Sequence, residues 1–231
     1  MKFYQVNTLN SLMLGNFDRT VSVKDFMNGK DTGIGTYEGL NGEAIFMDGV
    51  AYNGTADGNV KIMKDDDYVA FGTVCKFDNS VSYHTLENVD LDALKKDIVP
   101  DNPNYFYVLK TDKIKFDTMH VRSCYPSEKP YPTLSQVASC QREFHYTDIE
   151  GYMIAVWCPE YVKGINLPGW HFHFLSADKT KGGHILGMSA KEFVYQMNAC
   201  NEFDLTLPTN KEFATRDLCE DLSAKTKAVE G

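Results

Sequence analysis

Apolar residues along the chain are spaced first as short helices and then, over longer runs, in alternation. Residues 7–14 and 21–27 have helical spacing, the second run with Thr20 or Ser22 as its cap. From residue 32 to 77 the texture becomes strand-like. Asp48-Gly49 sits between two short apolar runs, a local signature of a hairpin, and Asp57-Gly58 repeats the turn signal. Residues 88–98 read as a helix capped by Asn88, with Leu91, Leu94 and Ile98 on one face and Pro100 beyond its end. Residues 105–109 and 113–121 read as strands, followed by a stiff connection through Pro126, Pro130 and Pro132 and a short helix over 133–140. Residues 149–157 and 170–175 are strong strand signals. Ser189 and Glu192 fit a capping box, yet Phe193, Tyr195, Met197 and Ala199 alternate with period two, which favours a strand. Residues 210–229 read as helical or partly loose.

This pattern predicts an α+β fold: two β-rich halves with mixed sheets and a few short helices. There is no repeat, low-complexity tract or Gly/Ser linker. Residues 1–231 are therefore expected to form one unit, with any division into subdomains near residues 123–148.

With 231 residues, 43% of them hydrophobic, the chain can bury a core without disulfide support. Its net charge of −9 argues against nucleic acid or an anionic membrane as partner, since both recruit basic patches. No stretch approaches the ~20 apolar residues of a membrane span. Polar residues interrupt the N-terminus, so a signal peptide is not expected. Six scattered cysteines without a Cys-x-x-Cys pair read as reduced thiols of a cytoplasmic protein.

The most informative segment is Trp170-His171-Phe172-His173-Phe174. On a strand, residues two apart share a face, so His171 and His173 project together while Phe172 and Phe174 face the other way. A polar run from 176 to 181 and the pair Gly182-Gly183 suit a turn. His184 then begins a return strand that can bring a third imidazole beside the first two. Three imidazoles on one metal leave a tetrahedral position open, which marks a catalytic rather than a structural zinc site. A lone histidine is usually a structural residue, but half of this chain's six histidines fall within 171–184. His84, His120 and His145 show no comparable pattern and are read as structural.

The block from 159 to 174 (PEYVKGINLPGWHFHF) with Gly182-Gly183-His184-Ile185-Leu186 resembles α-acetolactate decarboxylase. So do, in order, residues 3–6, 33–37, 40–44, 47–49, 56–58 and 128–132, and the resemblance covers nearly the whole chain. It implies a two-part α+β fold, a homodimer and a Zn2+ ion on His171, His173 and His184. It also implies catalytic roles for Glu43, Arg122 and a C-terminal glutamate, matched best by Glu230, and a substrate-binding role for Thr36. Read without it, Glu43 is a solvated strand residue, Arg122 a surface ion-pair partner, and Thr36 and Glu230 are unremarkable. The sequence departs from the family pattern at Gly187-Met188, which touches loop shape more than ligation.

The implied reaction is zinc-dependent decarboxylation of 2-acetolactate to acetoin and carbon dioxide through a metal-stabilised enediolate, in the acetoin/butanediol pathway. Two other readings stand beside it. The His-x-His followed by Asp178 faintly resembles cupin sites, often those of iron oxygenases. A non-enzymatic protein stabilised by its metal is the other.

Overall fold

The computed structural model describes residues 1–230, with the side chain of Glu230 outside the description. The first seven strands are β1 (Lys2–Val6), β2 (Val21–Ser22), β3 (Thr32–Tyr37), β4 (Glu43–Met47), β5 (Val50–Gly54), β6 (Val60–Ile62) and β7 (Tyr68–Cys75). They lie in one sheet in the order β1-β7-β3-β4-β5-β6, with β2 also on β7. Two short helices accompany them, α1 (Leu9–Met13) capped by Thr8 and α2 (Val23–Met27) capped by Ser22. The β4–β5 hairpin turns on Asp48-Gly49, both at positive φ (51° and 81°), the backbone that a two-residue primed turn demands.

The second sheet follows: β8 (His84–Asp90), β9 (Phe106–Thr111), β10 (Ile114–Ser123), β11 (Arg142–Cys158), β12 (Gly169–Ser176) and β13 (Gly182–Cys200). It closes on itself. β10 pairs with β11, β11 with β12, β12 with β13, and β13 again with β10, all antiparallel. Phe116, Met153, Phe172, Phe174, Ile185 and Phe193 fill its interior, and α3 (Leu91–Asp97) packs Leu91 and Leu94 into the same core. A final strand, β14 (Glu202–Thr206), returns to the first sheet parallel to β1 and makes that sheet mixed. The second sheet is wholly antiparallel.

Strands of the second sheet alternate between two cores, and this places the site. Met153, Ala155, Phe172 and Phe174 point into the closed interior, while Ile154, Val156 and Leu175 face the first sheet and meet Ile34, Ile45 and Tyr52. Three further helices, α4 (Leu134–Ala138), α5 (Lys211–Thr215) and α6 (Ser223–Glu230), complete the chain. Leu134 and Val137 of α4 join Leu9, Leu12, Phe71 and Leu222 in a cluster beside the junction, with Val229 packed against it.

Several elements differ from the sequence reading. β11 begins at Arg142 rather than 149. The chain passes between the two sheets at 76–83 and at Asn201. Helix α3 starts at Leu91 because Asp90, not Asn88, caps it by accepting from the Ala93 N–H at 2.8 Å. Asn88 belongs to β8, a largely exposed strand with no alternation to announce it. Gly182 and Gly183 are not turn residues but the start of β13. A Cβ on Gly183 would meet the Arg122 carbonyl oxygen at 2.6 Å, so glycine is needed there for close approach.

Candidate metal centre

β12 carries Trp170, Phe172 and Phe174 into the closed core and leaves His171 and His173 facing the first sheet. His184 lies directly across the ladder from His173, and Arg122 directly across from His184 on its other side. Three adjacent strands therefore present four functional side chains to one point. His171 Nε2 lies 2.8 Å from His184 Nδ1 and 3.2 Å from His173 Nε2. A tetrahedral ion with metal–nitrogen bonds of ~2.0–2.1 Å sets its ligand nitrogens about 3.3 Å apart, close to this spacing.

His173 has its tautomer fixed from behind. Its Nδ1 donates to the Ala44 carbonyl of β4 at 2.8 Å, which in the neutral ring leaves the lone pair on the inward Nε2. Burial, with added positive potential from Arg122 and Lys95, pushes the His171 imidazole down to about 3. Burial and Arg122 likewise hold His184 well below its ordinary value. Both rings are neutral at neutral pH, the form that donates to a metal. His171, His173 and His184 can hold one ion, and an all-imidazole set suits a transition metal such as zinc, copper, iron or nickel.

Beside them Arg122, 2% exposed, donates from Nη1 to Glu43 Oε1 at 3.1 Å. The other carboxylate oxygen of Glu43 lies 3.5 Å from His173 Nε2. Glu43 is the first residue of β4, and the next residue supplies the carbonyl that orients His173. This ion pair spans both sheets and is buried, with side-chain exposures of 3% and 10%. Breaking such a pair by removing one partner costs about 3–5 kcal/mol. Thr36 lines the same cavity as Glu43, Arg122 and His171, and its hydroxyl donates to the Gly42 carbonyl at 2.8 Å. The side chain of Glu230 lies outside the described residues. Its neighbour Val229 reaches the site, accepting from Arg122 Nη2 through its carbonyl at 3.4 Å.

The inner cavity shares Leu9, Asn166 and Leu167 with an outer cleft of about 450 Å³. Among the described residues, Lys95, Lys163 and Lys227 line that cleft, against one acidic residue, Glu160. This cationic lining has no local signal in an acidic chain, because the three lysines are far apart in number. Nor could it reveal the carbonyls of Ala44 and Val229, since every residue carries one. A third contact without a sequence signal is Ser123 Oγ donating to the Gly54 carbonyl at 2.7 Å, which ties the two sheets beside Arg122.

The chain is similar to known proteins over nearly its whole length. The family model described as alpha-acetolactate decarboxylase matches residues 3–220. The alpha-acetolactate decarboxylase of Methanosarcina mazei is 31% identical over 229 residues, covering 98% of this chain and 79% of that protein. That of Brevibacillus brevis is 32% identical over 220 residues, covering 94% and 76%. The crystal structure of alpha-acetolactate decarboxylase from Bacillus subtilis strain 168 superposes with a TM-score of 0.94 at 26% identity, over 100% of both chains.

Proposed function

The chain belongs to the alpha-acetolactate decarboxylase family of carboxy-lyases, and on that premise we propose that it converts 2-acetolactate to acetoin and carbon dioxide with zinc on His171, His173 and His184. The observation that carries this reading is the convergence of three imidazoles beside a buried Arg122–Glu43 pair. Zinc bound there supplies Lewis acidity at the oxygen where negative charge develops. The scatter of the six cysteines, with no Cys-x-x-Cys pair, is in keeping with a cytoplasmic protein. A homodimer, and a place in acetoin/butanediol formation, follow from the family resemblance.

The substrate carries a carboxylate and a hydroxyl on one carbon and a ketone on the next. When the carbon–carboxylate bond breaks, its electron pair moves to the ketone oxygen and leaves an enediolate. Arg122 offers a fixed fork of donors to an anionic oxygen, and its burial makes that charge more effective than it would be in water. The enediolate then takes a proton at carbon to give acetoin. Glu43 is the proposed relay for this step, taking a proton from water and passing it to that carbon; it is buried and held through Oε1, with Oε2 turned toward the histidines. Glu230 is the second candidate donor, and Thr36 lines the substrate's side of the cavity.

The test is direct. Purified protein is incubated with acetolactate, and acetoin is measured before and after metal removal by a chelator and again after zinc is restored. Turnover should disappear with the metal and return with zinc, without any need for oxygen. The variants H171A, H173A and H184A should each lose both metal and turnover. Full activity in any of them under strict metal limitation would sink the assignment.

A further inference from the structure

Two more histidines meet outside the site, on the outer surface of the β10–β11 ladder. His120 and His145 are directly opposed across the strands. Their rings stack with centroids 3.9 Å apart and planes at 21°. Glu143, two residues before His145 and so on the same face, lies with Oε2 at 2.9 Å from His120 Nε2. One ligand atom from each of the three falls within 4.8 Å of the others.

The surroundings favour a cation. Gln141 Nε2 donates to Glu143 Oε1 at 3.2 Å, an outer contact of the kind that holds a ligating carboxylate in place. The Gln141 side-chain oxygen is itself buried without a hydrogen-bond partner. β10 is an interior strand, paired with β11 on one side and β13 on the other, so the three residues stand on a rigid base. Gly187 of β13, across from His120, has no side chain to crowd them. A simple His–Glu surface pair accounts for the contact between His120 and Glu143. It gives no reason for a second imidazole to lie flat against the first.

We propose that His120, Glu143 and His145 form a second site for a divalent transition metal, of the zinc, nickel or copper class that imidazole ligands favour. It is weaker than the three-histidine centre because it is open to water, with His120 and Glu143 side chains 29% and 45% exposed. Its occupation staples β10 to β11 one step from Arg122, which lies opposite Glu143 in the same ladder.

Equilibrium dialysis and calorimetry with zinc test this on protein already carrying its tightly bound ion. The wild type should take up a second, weaker equivalent and gain melting temperature in excess zinc, as ligand binding to the folded state requires. H120A and H145A should each weaken that equivalent about tenfold or more while keeping the tight one. H145N, smaller in effect on packing, guards against a folding artefact, and zinc-free melting temperatures of all variants should match wild type. H173A should do the reverse, losing the tight equivalent and keeping the weak one, so failure of the main centre and failure of this site are separable. A second equivalent that survives in both H120A and H145A, or no second equivalent at all, would overturn the proposal.

Discussion

Gly54→Ala should damage catalysis from a residue that touches no substrate. Gly54 pairs with Glu43 in the β4–β5 ladder, and its backbone presses on the start of β13, two residues before His184. A Cβ there would meet the carbonyl carbon and oxygen of Gly182 at 2.7 Å and the nitrogen of Gly183 at 3.0 Å. These are backbone atoms, so no side chain can swing aside. Restoring an ordinary 3.4 Å contact requires the sheets to part by about 0.7 Å. Overpacking of this kind costs about 1–3 kcal/mol. At ~2–4 °C per kcal/mol for a chain this size, melting should fall by about 2–12 °C. The ladder would carry Glu43 with it, away from Arg122 and His173. Because an ångström of misplacement costs ~100-fold in rate, turnover should fall on the order of tenfold to hundredfold. Zinc content should hold, since all three histidines sit on the second sheet. Acetoin formation, metal analysis and thermal denaturation on one preparation give all three numbers. Wild-type turnover alongside a lowered melting temperature would show that the junction does not position Glu43.

Arg122→Lys keeps the charge but loses the fork that holds Glu43 and the Val229 carbonyl, so turnover should fall on the order of hundredfold with zinc still bound. Loss of zinc together with unfolding would make Arg122 a structural residue. Removing residues 229–231 takes away the Val229 carbonyl and Glu230; acetoin formation should drop sharply while zinc content stays intact and the melting temperature moves by no more than about 5 °C. Glu230→Gln should reproduce most of that loss, and a truncated enzyme at the wild-type rate would exclude Glu230 from the site. Lys95→Glu reverses charge in the outer cleft, so kcat/KM for the anionic substrate should fall several-fold, and the deficit should shrink as salt is raised. A deficit independent of ionic strength would argue against electrostatic steering.

The local code of this chain determined a good deal by itself. Strict alternation in residues 170–175 fixed which face of β12 the two histidines occupy, because a strand buried differently on its two sides must separate them. Asp48-Gly49 fixed a hairpin, because few other pairs adopt two consecutive positive φ values cheaply. Together with the run to His184, these made the three-histidine centre and the α+β class legible without coordinates. What lies between the sheets was decided only by the tertiary structure. Glu43 and Arg122 are 79 residues apart, and nothing local says that a strand-initial glutamate will be desolvated against an arginine of the other sheet. The exposed strand β8 carries little burial asymmetry, so its sequence does not alternate and nothing in it announces a strand. Gly182 and Gly183 imitated a turn because glycine serves equally for unusual φ and for close approach, and only the neighbouring backbone tells the two apart. His120 and His145 looked unrelated for the same reason, since the register that sets them ring against ring belongs to the β10–β11 pairing and to neither strand alone.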